Sequence, residues 1–531
     1  MKFWRCLCLF LCVLGGLAVQ SPLNAQTDCG IVDTLNMPVD PTTFTLVQDF
    51  GVPSYRHQGR FHLGEDWYGG RDTSVGQPVR AVATGRVTFA SASAWGSDGG
   101  VVIIEHQFPD ESIAYTMYGH IAPTASMPFP DRLTCVTAGQ IIGTIADVRP
   151  APHLHFEVRV NNPDIPGPGY LREDPINGGW RKASKFIQNW QLWLQPAHEW
   201  HFFTGEGDAR SERGLTSSPL ILNDNSLLFL DATGTILRRA TQDGRVLWRV
   251  QVDLAVSLSG YQGKSYIAFA DGRMAEITDI ERGRLGETWR VDAQFAAAPI
   301  LAFDWLIFPT PDNALVAIAE DRRTILWRLD NIPPFTRWHI AGDRVNFVIG
   351  LITTEHELIA ISGSGALIDR KQLSEMASLG SDVDGTLLVY SHGGLWRVDV
   401  TGEWALVNEN LPNGGQHSSL VTTSGGRRFL FDGKTLYAYD ANNLLLWETA
   451  IGDFSGTTEL ALYDTLLLLT STDGQIIAVS DGGRVCNRVQ VYGIPDSQQW
   501  RTLGNDGTLR LNIADQMLGM NWARFVQACG G

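Results

Sequence analysis

Pro152-His153-Leu154-His155-Phe156-Glu157 leads directly into Val158-Arg159-Val160. With Val101-Val102-Ile103-Ile104 upstream, these apolar runs give a β-sheet context, and residues 153–160 read as a strand. On a strand, side chains at i and i+2 leave the same face. His153 and His155 therefore project into one space, and Leu154 and Phe156 into the apolar layer opposite. Two neutral imidazoles on one side of a rigid strand form a fragment of a metal site. A polar strand face that merely carries two histidines would look the same, so the rest of the chain has to decide.

The chain has 531 residues, more than one core usually holds, and two or more domains are expected. Hydrophobic residues make up 44%, charged residues only 18%, and there are 55 glycines, which describes a folded, turn-rich protein. The formal net charge of −16 excludes nucleic acid as a partner, because no basic stripe is available to neutralise phosphates.

Residues 1–25 read as a signal peptide: Lys2 and Arg5 are basic, 6–19 are apolar, and Leu23-Asn24-Ala25 is a cleavage site. The apolar run falls short of the ~20 residues that span a bilayer, so export to the cell envelope, periplasm or exterior is expected. No later stretch is long and apolar enough to cross a membrane. Cys6, Cys8 and Cys12 leave with this segment; Cys29, Cys135, Cys486 and Cys529 remain. An even number in an exported protein suggests two disulfides with three possible connectivities. Sequence proximity favours Cys29–Cys135 and Cys486–Cys529.

Residues 26–50 form an irregular lead-in. From 51 to 178 an antiparallel β domain is expected, with strands at 79–90, 101–106, 112–118, 140–146 and 153–160. Two further groups stand in it. Phe61-His62-Leu63-Gly64-Glu65-Asp66 offers an imidazole and a carboxylate four residues apart, and Tyr118-Gly119-His120-Ile121 puts a histidine at a strand end.

His62-x-Gly-x-Asp66, Tyr118-x-His120 and His153-x-His155-Phe156-Glu157 stand in the order and approximate spacing of the LytM/lysostaphin-type zinc endopeptidases, the M23 family. The resemblance runs from about residue 50 to 174 and includes the stretches 76–87 and 138–143. It implies that His62, Asp66 and His155 bind zinc with one position open to water, the arrangement a catalytic zinc requires. It also implies that His120 and His153 are the two catalytic, non-ligand histidines, and that the substrate is peptidoglycan, cut in its peptide stems or cross-bridges. Departures are mild: Glu65 replaces the usual apolar residue before the aspartate, and Ile121 replaces a leucine. Neither removes a ligand. His57 and His106 receive no role. His198-Glu199-Trp200-His201 is one residue short of a zincin His-Glu-x-x-His helix and is read as structural.

Residues 179–204 read as a linker with a short helix over 183–194, ended by Pro196. From 205 to 531 a Trp-bearing strand recurs at Trp248, Trp289 and Trp327, with weaker copies at Ile368, Trp404, Trp447 and Cys486. A period near 40 residues, with Asp-Gly turns at 243–244, 271–272, 384–385, 432–433, 473–474 and 506–507, predicts a β-propeller. This half resembles the PQQ-like (quinoprotein-like) repeat propellers. Seven copies predict seven blades, and an eighth could join the Trp500 region to residues near Trp200. The tryptophans are read as blade-packing residues. The expected architecture is therefore all-β, a peptidase domain followed by a propeller.

Two other function classes compete with a secreted zinc endopeptidase. A quinoprotein dehydrogenase is disfavoured because the chain has no vicinal cysteine pair. A silent LytM-type adaptor that binds cell-wall enzymes predicts lost metal ligands, and none is lost. The propeller's expected task is to bind a protein or glycan partner, by analogy of fold alone.

Overall fold

The computed structural model describes residues 29–204, 215, 217–231, 236–240, 244–454, 456, 458–491, 500–513 and 515–529. The expected signal segment, the start of the propeller region at 205–214 and Asp243 of the first Asp-Gly turn lie outside the described residues. The rest packs as two compact units, one of residues up to 47 with 66–168, the other of 48–65 with 169–529. Among the described residues no helix is long and apolar enough to cross a membrane.

The first unit is a twisted sheet in which Leu154–Arg159 lies between Glu65–Tyr68 and Ile113–Ala122, followed by Gly100–Gln107 and Gly85–Ser91. Leu154–Arg159, Ile113–Ala122, Gly100–Gln107 and Gly85–Ser91 run antiparallel in turn. The single strand expected at 79–90 is two, Pro78–Arg80 and Gly85–Ser91, because 81–84 turn the chain from one partner strand to another. The lead-in is less irregular than its composition suggests: Thr45–Gln48 adds an edge strand beside Glu65–Tyr68. Cys29 is bonded to Cys135 with a Cα separation of 5.3 Å. The alternation in Leu154–Arg159 is as the sequence predicts. Leu154, Phe156 and Val158 are fully buried, and Phe156 meets Tyr118, its register partner, with ring centroids 5.2 Å apart.

In the second unit, seven consecutive runs of four strands, from Leu220–Ile221 to Val485–Gln490, each form an antiparallel sheet. An eighth four-stranded sheet combines His198–Phe203 with Trp500–Leu503, Thr508–Ile513 and Gln516–Asn521. Among the described residues the blades therefore number eight, the count reached when the chain ends are joined. Eight apolar clusters lie one between each neighbouring pair of sheets. The last of these closes the ring: Trp200 and Met517 of the eighth blade pack on Leu227 and Phe229 of the first. Cys486 is bonded to Cys529 and ties the C-terminal turn to the outer strand of the seventh blade.

The repeated tryptophans staple blades together. The indole N–H of Trp248, Trp289, Trp327 and Trp447 donates to the carbonyl of Ile280, Arg322, Gly363 and Asp481, each in the following blade. The rings of Trp248, Trp327 and Trp447 need room, and a glycine supplies it: a Cβ at Gly365 would lie 2.5 Å from Trp327. Over Trp289, which has no such glycine among the described residues, Arg323 stacks at 4.3 Å. Where the tryptophan is replaced by Ile368, the matching Gly402 faces the isoleucine instead. Gly365 also has φ +84°, so Gly365→Ala combines backbone strain with overpacking. A loss of about 2 kcal/mol is expected in denaturant unfolding.

Candidate metal centre

The expected ligands come from separate parts of the chain and from two sheets. Asp66 comes from Glu65–Tyr68 and His155 from the adjacent Leu154–Arg159, while His62 ends Arg60–His62. One ligand atom from each of His62, Asp66 and His155 lies within 4.8 Å of the others, and all three residues are buried. Two nitrogens and one carboxylate oxygen are the donor set of a catalytic zinc with an open position.

The hydrogen bonds decide which nitrogen of each ligand is available. His62 Nδ1–H donates to the Asp49 carbonyl at 3.1 Å, so Nε2 is the nitrogen that would face a metal. His155 Nδ1 faces Asp66 Oδ1 and Nε2 faces Glu157 Oε1, each at 2.9 Å. Burial by itself pulls the His155 pKa down, but the two carboxylates outweigh it and raise it to about 9. Nε2–H is committed to Glu157, so Nδ1 is the nitrogen available for a metal.

His155, Glu157 and Arg159 share one face of the strand by the period of two. Glu157 is fully buried and its other oxygen lies 3.4 Å from Arg159, which donates in turn to the Ile165 carbonyl at 2.7 Å. This carboxylate–histidine pair is the usual second-layer support of a metal-bound imidazole. Glu157→Gln should weaken zinc binding by about 10–100-fold, read by competition with a chelator.

His120 and His153 stand beside the ligands, with ring centroids 4.6 Å apart. His153 Nε2 lies 3.5 Å from Asp66 Oδ2. His120 adopts φ +58°, and its Nδ1–H donates to the Asp98 carbonyl at 2.7 Å. His153 Nδ1–H donates to the Ala151 carbonyl at 2.7 Å. His120 thus presents Nε2 as an acceptor, while the Nε2 of His153 faces the Asp66 carboxylate. Burial, then the neighbouring His153 and His155, pull the His120 pKa down to about 3, so it is neutral throughout the physiological range.

Nothing in the sequence around Trp95 marks it as part of this site, yet it stands there. Its ring lies 4.9 Å from that of His120 and 5.5 Å from that of His155, and its indole N–H is held by the Gly167 carbonyl. Gly119, opposite His155 in the register, makes room for it, since a Cβ there would meet the indole at 2.3 Å.

The remaining histidines are elsewhere. His106 is buried between the Thr84 carbonyl and Thr116 Oγ1, and burial lowers its pKa to about 4, a neutral core histidine. His57 is exposed and stacks on Tyr170 with centroids 3.7 Å apart. His198 and His201 lie on a strand, not a helix, with ring nitrogens 3.1 Å apart, so the zincin arrangement is absent there.

Residues 60–166 match the model of peptidase family M23, and residues 232–394 match that of the outer membrane protein assembly factor BamB. Among solved structures, BamB from Moraxella catarrhalis is similar at 15% identity and TM-score 0.43, over 61% of this chain and 99% of that one. Saccharomyces cerevisiae Sqt1 is similar at 10% identity and TM-score 0.47, over 61% of this chain and 98% of that one. Quinohemoprotein alcohol dehydrogenase from Comamonas testosteroni is similar at 11% identity and TM-score 0.43, over 61% and 76%. No curated protein matches the chain. The chain thus joins a segment that matches the model of peptidase family M23 to a propeller of which residues 232–394 match the BamB model.

Proposed function

We propose that this chain is an exported zinc metalloendopeptidase of the cell envelope or exterior. Its substrate is peptidoglycan, hydrolysed at peptide bonds in the stems or cross-bridges, and its propeller binds a protein or glycan partner and positions the peptidase. The observation that carries this reading is the convergence of His62, Asp66 and His155, with the acceptor nitrogens of His120 and His153 beside them. A cavity of about 820 Å³ on the propeller, lined by residues including Leu301, Arg337, Trp338 and Trp500, supports a binding role for that half.

His62, Asp66 and His155 would hold the zinc, which when bound supplies a Lewis acid that polarises the scissile carbonyl and lowers the pKa of water. The chain's own residues handle the protons. His120 and His153, fixed as Nδ1–H tautomers, offer Nε2 to the attacking water. The same nitrogen, once protonated, donates to the departing amine. The Asp98 and Ala151 carbonyls hold these rings in place, so little reorganisation is needed as charge develops.

The test is mass spectrometry of fragments released from purified cell wall by the zinc-loaded mature chain. New peptide termini within the stems or bridges are expected, and they identify the bond. Intact wall after prolonged digestion with zinc-replete protein would count against the peptidase and favour an adaptor.

A further inference from the structure

We infer that the first turn of the linker helix, through Lys182 and Ser184, positions the metal ligand His62 from both of its flanks. This rests on the zinc reading above and extends it to residues outside the 60–166 segment that matches the peptidase family.

The helix Ala183–Trp193 belongs to the same compact unit as residues 48–65. On one flank, Lys182 Nζ lies 2.7 Å from Asp49 Oδ2, and Asp49 is the residue whose carbonyl accepts His62 Nδ1–H. On the other, Glu65 Oε1 accepts from Ser184 Oγ at 2.7 Å and from Ser184 N–H at 3.1 Å. Glu65 is fully buried and stands three residues after His62 and one before Asp66. A carboxylate at this point suits the positive end of the helix dipole. It also gives a reason for the one departure from the family pattern inside the first ligand motif: an apolar residue at 65 could not accept from Ser184.

The clamp has a fixed platform. Lys185 Nζ makes a buried ion pair with Asp515 Oδ2 at 2.6 Å, and Asn189 accepts from Gln516 Nε2 at 2.6 Å. Leu192 joins the apolar cluster of Leu511, Leu518 and Met520 in the closing blade. A helix anchored on one side by the propeller thus holds, on its other side, the two residues that frame His62. Outer contacts of this kind set ring orientation and tautomer in a metal-binding histidine.

The experiment uses the full mature chain carrying Lys182→Ala and Ser184→Ala together, compared with Lys182→Arg and Ser184→Thr, which keep the charge and the hydroxyl. Zinc affinity by chelator competition should fall about 10–100-fold in the alanine pair and recover to within about threefold of the parent in the conservative pair. In the zinc-free protein, ¹⁵N NMR should show His62 as the Nδ1–H tautomer in the parent and a tautomer mixture in the alanine pair. An alanine pair with a lower melting temperature but parental zinc affinity and an unchanged His62 tautomer overturns the inference, because its effect is then only structural. Should the parent bind no zinc, the metal reading fails while the tautomer comparison still decides the positioning role.

Discussion

Alanine at His62, Asp66 or His155 should strip the metal centre, with zinc content falling from about one per chain to below about 0.1. The expectation follows because a catalytic zinc is held by three protein ligands, and all three of these residues are buried with their ligand atoms within 4.8 Å of one another. Cell-wall hydrolysis should fall to background with the metal. Metal analysis after dialysis reads the first effect, and release of soluble wall fragments the second. Zinc content near the parent's in all three variants would falsify the ligand assignment.

The same centre sets a pH dependence with a definite sign. In the zinc-free chain His155 sits between Asp66 and Glu157 and keeps a proton up to about pH 9. Zinc must displace the Nδ1 proton, so at any lower pH binding releases it. Affinity should therefore decline by about tenfold per unit as pH falls below 9. A zinc affinity that is flat from pH 9 to 7 would mean that His155 is not the residue giving up the proton.

The candidate site at His155 is legible because a strand displays alternate residues. His155 faces Asp66 while Phe156 faces Tyr118, as the two-residue period requires. Glu157 and Arg159 follow from that same period, yet their charge makes them look like surface residues, and only burial identifies them as support for His155. Trp95 and the Asp98 carbonyl carry no such signal. They reach His120 through the turn at 95–98, and Gly119 marks the space for the indole only once its neighbour is known. The propeller shows the same division. Blades built from consecutive strands repeat visibly, even where Ile368 replaces tryptophan. The eighth blade pairs His198–Phe203 with Gln516–Asn521 across more than 300 residues, beyond the reach of any local period.

His120→Ala should retain zinc while losing about 10²–10⁴ in kcat, roughly 3–5 kcal/mol of transition-state stabilisation. The ring is not among the metal-facing group, so its removal leaves all three donors in place. What disappears is an acceptor nitrogen whose availability is built in twice. The Asp98 carbonyl takes the Nδ1 proton, and burial beside two other imidazoles keeps the ring neutral down to about pH 3. On the proposed reading His120 stays neutral above about pH 3, and the acid limb of the activity profile is expected to follow the His155 proton that competes with zinc. His120→Ala should accordingly lower the whole profile without moving that limb. A zinc-replete His120→Ala enzyme with parental kcat would transfer the proton-accepting role to His153, whose Nε2 lies 3.5 Å from Asp66 on the other side of the pair.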